Sequence, residues 1–105
     1  MEKIIEDIVP TEFQLSQNYP NPFKEWTTIK YCVPDKMKIM LTVFNSDSRK
    51  VKTLLNEVKE AGTYKVEFYA NKLASGEYLY KLELEDPESS SGQGFFETKK
   101  MILLK

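Results

Sequence analysis

Apolar residues recur at every second position through four separate stretches of this chain, and that spacing admits few folds. Ile29, Tyr31 and Val33 alternate with Thr28, Lys30 and Cys32. Ile39, Leu41 and Val43 alternate with Lys38, Met40 and Thr42, and Tyr64, Val66 and Phe68 with Lys65, Glu67 and Tyr69. Tyr78, Tyr80, Leu82 and Leu84 alternate with Glu77, Leu79, Lys81 and Glu83. Successive side chains of a strand point to opposite faces, so each stretch predicts a strand with one buried and one wetter face. Their β-branched and aromatic content suits a pleated surface.

Turn residues separate these stretches. Pro34-Asp35-Lys36, Asn45-Ser46-Asp47-Ser48, Glu60-Ala61-Gly62 and Ala74-Ser75-Gly76 each end one run and precede the next. Residues 86–94, rich in Ser and Gly, read as a long hairpin connection rather than a domain linker. Val51, Leu54, Leu55 and Val58 have helical spacing, yet Val51, Thr53 and Leu55 also alternate. The neighbouring strands decide for a strand there. About seven strands result, near 12–17, 27–33, 38–44, 50–58, 63–69, 76–85 and 95–104. Short strands at regular intervals predict an all-β, antiparallel two-sheet sandwich. A chain of 105 residues is enough for one such domain with its own core.

Leu73-Ala74-Ser75-Gly76-Glu77-Tyr78-Leu79-Tyr80 resembles the approach to the sixth strand of immunoglobulin-like domains. There a tyrosine near the strand start bonds back to upstream backbone, the tyrosine corner, and Tyr78 is the candidate. Tyr80 stands where an immunoglobulin carries its second cysteine. The plainer reading is a Gly turn before an amphipathic strand. The fold class expected is thus an immunoglobulin-like antiparallel β-sandwich.

Little in the chain supports catalysis. With no histidine, Ser-His-Asp and Cys-His arrangements and the usual zinc sets are absent. Cys32 lies inside a strand without a basic partner nearby in sequence, which reads as a structural thiol. Asn45-Ser46-Asp47 lacks the Gly and distant Glu of a calcium loop. No phosphate-binding glycine loop occurs, and no cofactor is expected. A net charge of −1 offers no basic field for nucleic acid or anionic lipid. No apolar run approaches the roughly 20 residues of a membrane helix. Residues 1–10 mix apolar residues with acids and do not read as a signal peptide, so an exported parent would need export started elsewhere. Most aromatics fall in strands, where core packing explains them. Trp26 and Tyr69 are the two that a sugar-binding platform would use.

The most specific segment is Phe13-Gln14-Leu15-Ser16-Gln17-Asn18-Tyr19-Pro20-Asn21-Pro22-Phe23. Pro20 and Pro22 hold Tyr19 and Asn21 near extended geometry, and Tyr19 and Phe23 are expected to anchor the segment on the core. This segment resembles the opening motif of the type IX secretion (Por secretion) C-terminal sorting domain, type A, of Bacteroidetes proteins. The similarity continues in order through Thr27–Tyr31, Leu41–Asn45, Gly62–Val66 and Leu73–Tyr80, with Gly76 and Tyr78 inside the last. It ends in Thr98-Lys99-Lys100-Met101-Ile102-Leu103-Leu104-Lys105, similar to the family's terminal signature. It covers about Glu12 to Lys105, so residues 1–11 are read as linker or the tail of an upstream region, and 12–105 as the domain. Ser46, Asp47 and Ser48 depart from the apolar pair and Gly usual after the third strand, and the 86–94 loop is longer than the family's.

The resemblance implies a delivery module and not an enzyme. Such a domain directs an upstream cargo from the periplasm across the outer membrane to the surface or medium. A surface sortase then cuts ahead of the domain, here within or before residues 1–12. The implied partners are the type IX translocon, the sortase and the cargo. Lys99, Lys100, Met101, Leu103 and Lys105 are the candidate recognition residues, on a terminal strand whose exposed edge would pair with a receptor or a second copy. The competing reading makes Met101 and Leu103 core residues and the lysines solubilising edge charges. The rival functional class is an immunoglobulin-like carbohydrate-binding or structural interaction module.

Overall fold

The alternation is expressed as its period dictates: Ile29, Tyr31, Val33, Ile39, Leu41, Val43, Tyr64, Val66, Phe68, Tyr78, Tyr80, Leu82 and Leu84 are all buried. The computed structural model describes residues 3–4, 12–85 and 94–105. Eight strands occur among them. They are β1 (Lys3–Ile4), β2 (Gln14–Leu15), β3 (Trp26–Val33), β4 (Met37–Asn45), β5 (Lys50–Lys59), β6 (Gly62–Tyr69), β7 (Gly76–Glu85) and β8 (Gly94–Leu103). Seven fall where alternation and punctuation put them. β1 is additional, inside the stretch read as linker; the rest of that stretch, and the loop predicted at 86–94 up to Gly94, lie outside the described residues. β2 is shorter than predicted, although Ser16 still donates its N–H to the Lys30 carbonyl at 2.9 Å.

Two antiparallel sheets result. The first has the order β1-β6-β3-β2 and the second β5-β4-β7-β8. The chain changes sheets between β3 and β4, β5 and β6, and β6 and β7, while β4–β5 and β7–β8 are neighbours in one sheet. Inward residues of both sheets build one core, in which Tyr31 and Tyr64 stack with ring centroids 5.5 Å apart. Each fully buried side chain of this kind contributes roughly 1.5–3 kcal/mol through burial alone.

The mixed spacing of Val51 to Val58 has a physical origin. β5 is a strand, but its register with β4 shifts twice: Leu41 faces Leu55 while Thr42 faces Thr53, and Val43 faces Lys52 while Phe44 faces Lys50. Each shift inserts one extra residue, Leu54 and then Val51, which resets the side of the sheet that following residues face. Val51 and Leu54 pack against the core edge beside buried Leu55. Two bulges therefore imitate a helical spacing. The polar turn after β4 also forms: the Asn45 side-chain oxygen accepts from the N–H of Asp47 and of Arg49, both at 2.9 Å. Ser48 takes the left-handed conformation (φ 65°) there, which a glycine adopts without strain.

Candidate functional site

The segment between β2 and β3 is built around a buried amide. Asn18 is only 2% exposed. Its amide nitrogen donates to the Thr27 hydroxyl (2.9 Å) and the Pro20 carbonyl (3.2 Å), and its oxygen accepts from Gln17 Nε2 (2.7 Å). The Thr27 hydroxyl donates to the same Pro20 carbonyl at 2.8 Å. Buried polar groups persist only when partnered in this way. The Tyr19–Pro20 and Asn21–Pro22 peptide bonds are both cis.

Tyr19 is not the anchor expected of it. Its backbone pairs with Thr28 on the first sheet, and its ring is 80% exposed. Pairing with Thr28, an outward residue of β3, turns Tyr19 outward too. Asn18, one residue earlier, takes the inward place. Phe23 does anchor: it is 1% exposed, meets Phe68 edge-on with centroids 6.2 Å apart, and bridges in parallel to Leu103 of β8. The motif therefore starts on the first sheet and ends on the second, closing one side of the sandwich.

That closure covers part of the terminal strand's free edge. Gln17 Nε2 donates to the Lys100 carbonyl (2.6 Å), and the Ile102 N–H to Asn21 Oδ1 (2.9 Å). The Phe23 N–H donates to the Ile102 carbonyl (2.9 Å), and the Leu104 N–H to the Phe23 carbonyl (2.8 Å). The exposed edge expected from sequence is thus capped from the Lys100 carbonyl to Leu104. Toward Phe96 no strand flanks β8 on its outer side among the described residues.

Met101 and Leu103 are fully buried, as the core reading had it. Lys99 pairs with Glu97 (3.2 Å) and Lys100 faces Glu77 across the strands (3.8 Å). Lys105 ties the end of the chain to the β6–β7 connection, its backbone N–H donating to Ser75 Oγ (2.9 Å) and its ammonium to the Asn71 carbonyl (3.0 Å). Gly76 and Tyr78 lie opposite Leu103 and Met101. Asn21, Phe23, Gly76 and Tyr78 thus meet the last residues of β8, while Tyr19 stays on the first sheet.

The tyrosine corner is present. Tyr78 is buried and its hydroxyl donates to the Ala74 carbonyl at 2.7 Å. Gly76, at φ 152°, makes the turn just before it in a conformation that strains other residues. Tyr78→Phe is expected to lower unfolding free energy by about 1–3 kcal/mol, because the Ala74 carbonyl loses its partner. A denaturant midpoint unmoved by the substitution would remove the corner from the account of stability.

Tyr80 performs a role that sequence reasoning missed. Fully buried, it reaches across the sandwich and donates to the Ser16 carbonyl at 2.7 Å. A hydroxyl thus joins the sheets where an immunoglobulin uses a disulfide. Burial pushes the Tyr80 hydroxyl up to about 12; a backbone hydrogen bond from Asn18 opposes this and the Glu97 charge adds to it. Unfolded, the same group titrates near 10.0. The folded state holds its proton more tightly, so this stability is full below pH 10 and is lost as pH rises toward 12. The fall in stability across that window should be shallower for Tyr80→Phe than for the wild type, measured by urea denaturation at stepped pH. Parallel slopes would discount the tie.

Cys32 faces outward, its sulfur 3.5 Å from Thr63 Oγ1, in keeping with a structural thiol. Among the described residues no group of three or more His, Cys, Asp or Glu is placed to hold a metal, and no helix is long and apolar enough to cross a membrane.

A family model described as "Secretion system C-terminal sorting domain" matches residues 17–102, which include the proline motif and most of β8. No curated protein matches. Among solved structures, dimeric latent PorU from Porphyromonas gingivalis is similar over 95% of this chain, with a TM-score of 0.70 and 18% identity. The chain corresponds to 10% of that much longer protein, and at this identity the likeness is one of fold.

Proposed function

The chain belongs to the secretion system C-terminal sorting domain family, and on that footing we propose that it is the signal that carries an upstream cargo across the outer membrane through the type IX system. The family is one of sorting signals, not of catalysts. In this reading residues 12–105 are the signal, the cargo precedes it, and the domain passes the periplasm folded. A surface sortase then releases it by cutting within or ahead of residues 1–12.

One observation carries the reading. The two segments that carry the resemblance, the motif ending at Phe23 and the terminal strand, are joined by the Phe23–Leu103 bridge and by the Asn21 and Gln17 bonds to β8. A receptor that reads the folded domain can examine both at once. In the terminal segment Lys100 and Lys105 offer charge, Lys99 sits deeper beside Glu97, and Met101 and Leu103 act by fixing the strand. The uncapped edge between Phe96 and Lys100 offers backbone groups for an added strand.

The test is delivery in a type IX-competent host. Residues 10–105 are fused behind a reporter with an ordinary signal peptide, and compared with Lys100→Glu/Lys105→Glu in the same fusion. Delivery to surface or medium by the intact fusion, and periplasmic retention of the charge-reversed fusion with its folding verified, is the expected outcome. Retention of the intact, folded fusion would defeat the proposal. Equal delivery of both would place recognition elsewhere than the lysines.

A further inference from the structure

The outer face of the first sheet carries an aromatic cluster that sorting leaves unexplained. Trp26 and Tyr69 are directly opposite each other on β3 and β6, so their side chains share a face. Thr28 and Glu67 form the next outward pair, and Tyr19 lies opposite Thr28 on the other side of β3. Three aromatic residues thus surround Thr28 and Glu67 on the solvent face, and they are 80% (Tyr19), 42% (Trp26) and 53% (Tyr69) exposed. The Tyr69 hydroxyl donates to Glu67 at 3.1 Å, which leaves its ring held beside a carboxylate. An open groove of about 460 Å³, lined by Pro20, Pro22, Phe23, Lys24, Glu25 and Trp26, adjoins the cluster through Trp26.

We propose that this face is a carbohydrate-binding platform for a neutral polysaccharide, with Trp26, Tyr69 and Tyr19 as stacking surfaces. The exposed aromatic area is small beside a whole protein interface. At these exposures the three residues offer at most about 450 Å² between them, taking up to ~250 Å² for a fully exposed aromatic. A stable protein interface needs about 800 Å² per partner. Charge argues against a protein partner. Glu67 lies beside Tyr69, Lys30 and Lys65 form the next outward pair, and Lys24 and Glu25 line the adjoining groove, so a dry interface would bury charges of both signs, whereas hydroxyl groups of a sugar bond to them and leave them wet. The chemistry fits a pyranose. Its C–H face would stack on the electron-rich faces of the rings, with Thr28 and Glu67 between them to bond its hydroxyls. The absence of net positive charge on the chain argues for a neutral polymer over an acidic one.

Trp26 is the sole tryptophan of the chain, so its fluorescence reports on this face alone. The 105-residue protein is titrated with a soluble β-1,3-glucan, an α-1,6-glucan and an α-mannan, and the same polymers are set in native gels. A saturable change in Trp26 emission with retarded migration for at least one polymer is expected. Tyr69→Ala and Tyr19→Ala, on exposed residues that leave the core untouched, should each weaken binding roughly tenfold or more. No response to any of the three polymers overturns the proposal. Binding that survives both substitutions overturns it too, and so does self-association by sedimentation that the substitutions abolish, which would assign the face to a second copy. None of these outcomes depends on export, so the sorting proposal stands or falls separately.

Discussion

Removal of residues 98–105 is expected to unfold the domain, so loss of export on deleting the tail would not by itself identify a signal there. The deletion takes out Met101 and Leu103, both fully buried. Truncating such a side chain to alanine typically costs about 2–5 kcal/mol, and here two are lost together. A domain's total stability is about 5–15 kcal/mol. The deletion also strips β7 of its β8 partners from Gly76 to Lys81, and leaves Phe23 without the Ile102 carbonyl and Leu104 N–H it bonds. Far-ultraviolet circular dichroism and urea denaturation of the purified deletion should show no cooperative transition. A transition near that of the intact domain would mean that the end of β8 contributes little to the core. It would also make the deletion usable in export assays.

The burial of Met101 and Leu103 reconciles two readings of the terminal strand. The sequence signature there is a hydrophobic alternation with lysines between, and either recognition or packing explains it. The structure assigns the two apolar residues to packing and leaves the ammonium groups of Lys100 and Lys105 near the surface. A receptor that inspects this strand therefore meets its charge and its backbone, while its apolar residues report whether the domain is folded. That arrangement suits a signal read only after folding.

Local rules carried the reading of the chain where contacts are local. Alternation placed four strands and turn residues helped bound the rest, and a Gly turn followed by Tyr78 predicted a bond back to upstream backbone, which Tyr78 makes to Ala74. Those rules were silent where partners lie far apart. Tyr80 bonds to Ser16 and Gln17 to Lys100, separations of 64 and 83 residues. Only the topology, which sets β2 and β8 near the same side of the sandwich, brings them together. The Tyr19 misplacement has a similar cause: aromatic character suggested burial, but facing is decided by register with Thr28, which the chain sets from both flanks. Asn18 was given no role from the sequence, although one signal for it was there. An amide next to a Tyr-Pro-Asn-Pro run must find partners for its polar atoms, and burial against Thr27 and Pro20 supplies them.

Phe23→Ala is expected to cost about 3–5 kcal/mol, the usual range for deleting a buried phenylalanine. The side chain is 1% exposed, and its loss leaves a cavity beside Phe68, at the place where the motif passes from one sheet to the other. Two controls separate packing from edge capping. Phe23→Leu keeps an apolar group in the site and should recover much of the loss. Asn21→Ala keeps the ring and removes only the side-chain acceptor of the Ile102 N–H, which should cost about 0.5–1.5 kcal/mol. Amide hydrogen exchange then gives the sharper reading. Asn21→Ala should speed exchange at Ile102 while Leu104, bonded to the Phe23 carbonyl, stays protected. Phe23→Ala should speed both, because the segment that caps the edge is no longer held down. If Phe23→Ala left Leu104 protected, the motif would be docked by Asn18, Thr27 and Tyr80 alone, and the aromatic would serve the core without fastening the terminal strand.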